Sequence, residues 1–463
     1  MPRVPVRRVA IVGAGSAGLA CAYALGRGSV PGLEVHVFDG AGAPGGVART
    51  IELPPEALSA EAGPSVRSLN EGVQAAAPSY ANVLALHRAV GFEPTPLSMK
   101  IAFGRGATAW SNVEPSPFTR RMRPQIARFG ELLRGVHAAG PAATLAPIGA
   151  LLRVGSFSAE FVHHMALPLV ALFFGTGNQT HHVAASIVAR VFLDEELRLF
   201  EYDPERLLAS SPTMFAFDSL GAIYRAVAAA SGARLETGLA VRSVSRAPDH
   251  VTLRFAEAEP RDFDAVVFAC DAESALAALE RPTLLERACL GGVRFFDDLT
   301  VTHTDLPYLS SRVDFDRARG DQYLVAVSAD DPTQIEMSFD LTQYQPLLRG
   351  SRAPVLQTIF LDRRRRSGWS ERAIDPRRVL ARRWWRQLAP TWDHFARVTP
   401  LVRLLQGRHR TFYAGAWTLV NTHEVAVCSG FAAAERLGAP HPFAHDAAAR
   451  RSYRLVRGVV HGS

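Results

Sequence analysis

Three glycines near the start of the chain, Gly13, Gly15 and Gly18 in GAGSAG, have the spacing that lets a backbone close around a phosphate. The β-branched run Arg8–Val12 precedes them and the helix-forming run Leu19–Leu25 follows. Strand, G-x-G-x-x-G and helix together make a dinucleotide fingerprint. Gly13 permits the tight turn, Gly15 admits a pyrophosphate, and Gly18 lets the helix sit close to the strand. Ser16 and Ala17 open that helix, whose free N–H groups face the phosphates. A second strand, Glu34–Phe38, ends at Asp39, 21 residues after Gly18, where an acid accepts from a ribose hydroxyl.

Other reactive residue types are placed less tellingly. The cysteines Cys21, Cys270, Cys289 and Cys428 stand far apart, with no metal or redox spacing. His163–His164 and His181–His182 lack a carboxylate or thiol at ligand spacing, so no metal site is expected. The residue two before Ser16 is Ala14, which excludes the G-x-S-x-G hydrolase elbow. Lys100 is the single lysine, the other 50 basic residues being arginine, and it reads as a surface or packing residue.

Gly42–Arg49 (GAPGGVAR) follows the acid almost at once. Here the sequence resembles the FAD-binding amine oxidase and phytoene desaturase superfamily, with Gly45, Gly46 and Arg49 matching its GG doublet and nearby arginine. Two further blocks carry the resemblance. Arg234–Phe255 reads as strand, turn, strand before Phe263–Ala269, and Thr411–Gly415 leads into Val420–Leu437. The resemblance implies that Val241 offers its backbone to the adenine. It also implies that Gly415, Ala416, Thr422, His423, Glu424 and Val425 lie at the flavin, where the last helix would stabilise charge on the reduced ring. His423 is the candidate for moving a proton or binding a substrate oxygen; capping the helix or bonding the ribityl chain would use the same position. Trp417 and Tyr413 are candidates for the substrate pocket wall. The usual acid after the strand glycine is replaced by Ala416, at a cost of about 1.5–3 kcal/mol if nothing compensates. Pro400–Arg410 contains no cysteine, so the FAD is expected to be noncovalent. Looser similarity in Gly91–Phe103 and His303–Asp305 suggests a bacterial subfamily of NAD/FAD-binding proteins.

These residues need an α/β frame: a Rossmann-like FAD-binding domain, with a parallel sheet and a β-meander, and an inserted α+β substrate domain. The flavin domain is expected to be discontinuous, at about 1–80, 205–290 and 400–445. The substrate domain takes 81–204, mostly helical, and 291–399, mostly strands, leaving 446–463 as a tail. Helices are expected at Tyr80–Val90, Pro124–Ala138, Phe157–Phe174 and Ala184–Leu199. Strands are expected at Leu299–His303, Gln322–Ala329, Gln334–Phe339 and Val355–Phe360, followed by a helix around Pro376–Gln387. Ala166–Phe174, Phe295, Phe296, Trp384 and Trp385 suggest a lipophilic substrate: an acyl chain, a polyene or a polyketide.

The chain of 463 residues is 48% hydrophobic and 21% charged, which excludes wholesale disorder and suits two or three domains. A net charge of +7 with no aromatic-interleaved basic motif gives no case for nucleic acid. Met165–Phe174, the longest apolar run, is too short to span a bilayer, and no signal segment is read. A cytoplasmic location is expected. Arg363–Arg366 reads as a solvated loop, with peripheral contact to anionic lipid as the alternative. The function expected is an FAD-dependent oxidoreductase taking hydride from a C–H bond, with oxygen or another carrier as electron acceptor. A redox-neutral double-bond isomerase and an amine oxidase are the alternatives.

Overall fold

The computed structural model describes residues 6–28, 31–53, 67–175, 178–194, 199–209 and 211–462. Its first unit is a five-stranded parallel sheet in the spatial order Arg234–Thr237, Glu34–Asp39, Arg8–Val12, Ala265–Phe268 and Thr411–Tyr413. Val9, Ala10 and Ile11 are fully buried, as a strand covered on both faces requires. The helices Ser16–Arg27, Leu220–Ser231 and His423–Arg436 pack together on it. An antiparallel meander, Val241–Arg246, Val251–Phe255 and Arg261–Phe263, packs Phe255 and Phe263 onto Phe38, at ring distances of 4.9 and 5.8 Å.

A seven-stranded sheet forms the second unit, in the order Val379–Leu388, Phe295–His303, Leu356–Phe360, Ile335–Asp340, Tyr323–Val327, Ile101–Phe103 and Trp110–Ser111. Its pairs are antiparallel except Tyr323–Val327 with Ile101–Phe103. One face, bearing Ile101, Phe103, Val325, Met337, Phe339 and Ile359, buries itself under the inserted helices. The long helix Pro117–Ala138 starts seven residues before the expected Pro124. Ser116 and Thr119 form a reciprocal cap ahead of it, and Pro117 fills the first position, where a missing N–H costs nothing.

Three expectations are corrected. The segment read as a helix around Pro376–Gln387 is the strand Val379–Leu388, paired in register with Phe295–His303. Its residues alternate between the two faces, and Arg383, Trp385 and Gln387 share one of them. The first insertion is mostly helical, and its short strands Ile101–Phe103 and Trp110–Ser111 complete the large sheet. The helix Ala81–Ala89, placed by sequence in the insertion, packs Val83, Leu84 and Leu86 into the core of the parallel-sheet unit. The segment read as a tail contains the helix Ala447–Val460, which buries Ala449, Tyr453, Val456 and Val460 in that same core. The helix expected over Ala184–Leu199 runs from Ala185 to Leu193, and 195–198 lie outside the described residues. Among the described residues no helix is long and apolar enough to cross a membrane.

Candidate functional site

The glycine turn meets the glycine doublet along a seam free of side chains. Gly13 has φ +110°, and a Cβ there would lie 2.8 Å from the Ala269 carbonyl oxygen. A Cβ on Gly18 would lie 1.9 Å from the Gly13 carbonyl oxygen, so helix and turn are as close as backbones can be. Gly15 and Gly45 form an isolated parallel bridge, in which the Gly45 amide donates to the Ala14 carbonyl at 2.8 Å. Asp39 fixes both loops: its carboxylate accepts from the Ala14 amide at 2.6 Å and from the Ala41 amide at 2.7 Å. Gly15 itself faces open space, with the nearest atom, Gly46 Cα, 3.9 Å from its would-be Cβ. The helix Ser16–Arg27 begins there with no side-chain cap and no acid in its first turn. Its first N–H groups are therefore available to an external anion.

This seam is one wall of a cleft of about 590 Å³. The opposite wall comes from the large sheet: Thr300, Gln357, Ile359, Trp385, Gln387 and Leu388. Gly415, Ala416, Trp417, Asn421, Thr422 and His423 close one end. Gly415, at φ +137°, turns the chain out of the strand Thr411–Tyr413, and its amide donates to Ser429 Oγ at 2.8 Å. Trp417 donates from Nε1 to the Cys270 carbonyl at 3.1 Å, which holds its ring against the cleft.

A family of NAD(P)-binding Rossmann-like domains matches residues 11–87. A search of curated proteins finds no relative by sequence. Among solved structures, a CLA-producing fatty acid isomerase from P. acnes superposes with a TM-score of 0.64 at 14% identity, covering 93% of this chain and 98% of its own. Cyclohexylamine oxidase from Brevibacterium oxydans gives 0.65 at 15% identity, covering 94% and 99%. Putrescine oxidase bound to putrescine gives 0.64 at 13% identity, covering 93% and 98%. The chain has the FAD amine-oxidase fold. In this fold the cradle fits FAD: the bare seam at Gly15, an uncapped helix start and the Asp39 carboxylate are what a pyrophosphate and a ribose require.

The amine-oxidase fold also sorts the candidate residues. Gly13, Gly15, Ser16, Ala17, Asp39, Gly46, Arg49, Gly415, Ala416, Trp417, Thr422 and His423 all line the cleft. Gly18 and Gly45 lie beneath it as packing glycines. Val241 starts the meander outside the lining, near the Asp39 end, where the Leu239 amide donates to the Asp39 carbonyl at 2.9 Å. Glu424 points away from the cleft. It accepts from the amides of Asn82 and Val83, both at 3.0 Å, from Asn82 Nδ2 at 2.7 Å and from Ser452 Oγ at 2.8 Å. It therefore serves the start of the helix Ala81–Ala89, as a buried acid near a helix N-terminus does. Val425 is buried in the core beside it. Tyr413 is fully buried and donates from Oη to Glu286 at 2.7 Å, which Arg246 also pairs, so it is no pocket wall.

His423 lines the cleft at the start of the helix His423–Arg436, as the sequence implied, and its ring is tied to the glycine-turn helix. Its Nε2 lies 3.2 Å from Ser16 Oγ and hydrogen-bonds Tyr224 Oη, so it is tied to the phosphate-facing helix start. Burial holds its imidazole down at about 3, which keeps it neutral. That geometry suits orienting Ser16 better than shuttling a proton. Lys100 donates to the Arg319 carbonyl at 2.5 Å, away from the cleft. Among the described residues no cluster of three metal-ligating side chains occurs. Arg363–Arg366 is largely neutralised: Arg364 pairs with Asp362, Arg365 with Asp331 and Arg366 with Glu371, while Arg363 lies over Trp384.

Phe295, Trp384 and Trp385 line the cleft as expected of aromatic bulk, whereas Phe296 lies under Arg364 and Ala166–Phe174 is buried in the second core. Sequence reasoning missed Tyr224, Cys270, Gln74, Gln357, Glu71 and Arg383. Gln74 Nε2 donates to Gln357 Oε1 at 2.7 Å across 283 positions of sequence, and no local pattern signals such a pair. Cys270 lines the cleft, but burial raises its thiol well above the ordinary range and withholds the thiolate that bond formation needs.

Proposed function

We propose that the cleft binds FAD noncovalently and that the protein is an oxidoreductase taking hydride from a C–H bond of an apolar small molecule. One observation carries the reading: a bare glycine seam at an uncapped helix start faces Trp385, Trp417, Ile359 and Leu388 across a single cleft. The amides that begin the helix Ser16–Arg27 would hold the pyrophosphate, and Asp39 the ribose hydroxyls. Ala416 supplies no carboxylate to the ribityl chain, which leaves Asn421 and Thr422 as the nearby polar side chains. Bound flavin supplies a two-electron hydride acceptor. The chain's own contribution is to exclude water with its aromatic wall and to orient the substrate through Gln357 and Gln387.

A second reading is favoured by a specific feature. Three lining side chains that could exchange protons are held uncharged by burial, His423 pushed downward to about 3 and Tyr80 and Cys270 upward. Hydride abstraction followed by return to the same molecule needs no general base. That supports a redox-neutral double-bond isomerase alongside net desaturation. Yellow protein that releases FAD into the supernatant on acid precipitation is the expected result. Colour retained by the precipitate would overturn noncovalent binding, and colourless protein that binds NAD would overturn the flavin. Anaerobic turnover that bleaches the flavin indicates oxidation, and turnover without bleaching indicates isomerisation.

A further inference from the structure

We infer that Arg49 and Trp385, which line this cleft, form with the adjoining Glu71–Arg383 pair an anion subsite built to hold the carboxylate of an apolar acid. The inference rests on the reading of the cleft as a flavin and substrate site, and it names the substrate class. Arg49 and Glu71 are register partners on the paired strands Ala48–Glu52 and Ser68–Gly72. Arg383 and Trp385 stand two apart on the strand Val379–Leu388 and share a face. Glu71 has a side chain 1% exposed, and Arg383 Nε lies 2.7 Å from its Oε2. The Arg49 guanidinium lies over the Trp385 ring at 4.4 Å from the centroid.

The charges do not cancel. Among the described residues Arg383 takes Glu71, while Arg49 has no ion-pair partner within bridging distance. Arg49 Nε is buried with no hydrogen-bond acceptor, and Arg383 Nε and both Glu71 carboxylate oxygens are likewise buried without a hydrogen bond, so the cluster is held by charge proximity alone. Burial is the leading cause that pushes Arg49 downward and Glu71 upward; the Arg383 charge adds to the fall of Arg49, whereas both guanidinium groups pull against the rise of Glu71. The register partner of Trp385, Asp298, is pushed up by its own burial and adds no compensating charge. A partly desolvated surplus cation is costly until an anion meets it, and a guanidinium meets a carboxylate with two parallel hydrogen bonds. The dinucleotide phosphates already have the helix start at Ser16. Arg49 instead reaches the other wall, where Trp385, Ile359 and Leu388 continue the lining as apolar surface. An apolar carboxylic acid satisfies both features, whereas an alkylammonium would meet like charge.

The test is isothermal titration of the flavin-loaded protein with dodecanoate, dodecanol and dodecylamine. Dodecanoate is expected to bind about ten- to a hundredfold more tightly than dodecanol, the range of one charged hydrogen-bonding contact, and dodecylamine more weakly still. Arg49→Gln and Arg383→Gln should each remove most of the preference for the acid while keeping flavin content and dodecanol affinity. Glu71→Gln should act in the opposite direction and tighten dodecanoate. Equal affinity for acid and alcohol, or tighter binding of the amine, would overturn the subsite. A folded Arg49→Gln protein that loses its flavin would also overturn it, by assigning the arginine to the dinucleotide phosphates. Should Arg49→Gln fail to fold, Arg49→Lys and the comparison of the three ligands on the unaltered protein decide. Failure of the unaltered protein to bind flavin sinks the reading of the cleft itself; flavin binding without acid preference sinks only the subsite.

Discussion

Replacing Gly15 by alanine separates folding from cofactor binding, because this glycine alone among the fingerprint three has room for a side chain. Its φ of −78° and ψ of −176° are ordinary extended backbone, and its added Cβ would meet nothing nearer than 3.9 Å. Alanine there gains about 0.4–1 kcal/mol by restricting the unfolded chain. It loses a comparable amount, because alanine is a poorer residue than glycine at a helix N-cap. The two nearly cancel, so the melting temperature of the flavin-free variant should stay within about 3 °C of the unaltered protein. Binding behaves differently, because the Cβ stands where the pyrophosphate must approach. Overpacking of one methyl costs about 1–3 kcal/mol, a loss of roughly five- to a hundredfold in FAD affinity, and Gly15→Val should abolish binding. Gly18→Ala provides the contrast: its Cβ would lie 1.9 Å from a backbone oxygen, so fold and flavin should be lost together. The assay is flavin per protein by absorbance, beside a thermal melt of the apoprotein. A Gly15→Ala protein that melts normally and keeps full FAD affinity would refute the phosphate path. One that unfolds would refute the open geometry at Gly15.

Three other outcomes follow from the buried groups. His423→Ala should reduce flavin retention before it reduces turnover per bound flavin, since His423 holds Ser16 and Tyr224; unchanged retention with lower turnover per flavin would restore it to the chemistry. His423, His303, His394, His441 and His461 have folded values lowered to between about 3 and 4, so their stability contribution is complete above about pH 6.5 and is lost as pH falls toward 4. Each can contribute a slope of about 1.4 kcal/mol per pH unit in that window, and denaturant midpoints that stay flat from pH 6.5 to 4.5 would contradict the burial. Glu424→Ala should lower the melting temperature, because it strands the Asn82 and Val83 amides at about 1–3 kcal/mol each, while leaving FAD affinity of the folded fraction intact; loss of affinity without loss of stability would return Glu424 to the cofactor.

The features legible in the sequence are those whose causes are local. A turn that must pass close to a phosphate needs glycine whatever the rest of the chain does, so Gly13, Gly15 and Gly18 declare themselves, and Asp39 follows at the end of the next strand. Gly45 and Gly46 are legible for the same reason, with φ of +117° and +60°. The strands Arg8–Val12 and Glu34–Asp39 are legible as short apolar runs either side of the glycine-turn helix, whereas the place of Arg234–Thr237 at the sheet edge was set by its pairing with Glu34–Asp39. Side chains facing the cleft depend on partners hundreds of positions away. Val379–Leu388 carries arginines and tryptophans in a run that fits a helix by composition, and only pairing with Phe295–His303 makes it a strand. That pairing brings Arg383 to Glu71 and Trp385 beneath Arg49, a juxtaposition with no trace in local spacing. Glu424 and His423 are neighbours at a helix start. One turns into the core to hold the helix Ala81–Ala89, and the other turns to Ser16 and Tyr224. Sequence placed both at the mouth of the last helix. Their opposite directions were decided by the elements packed against each face of that helix, because a buried charge or imidazole goes wherever tertiary structure supplies its hydrogen-bond partners.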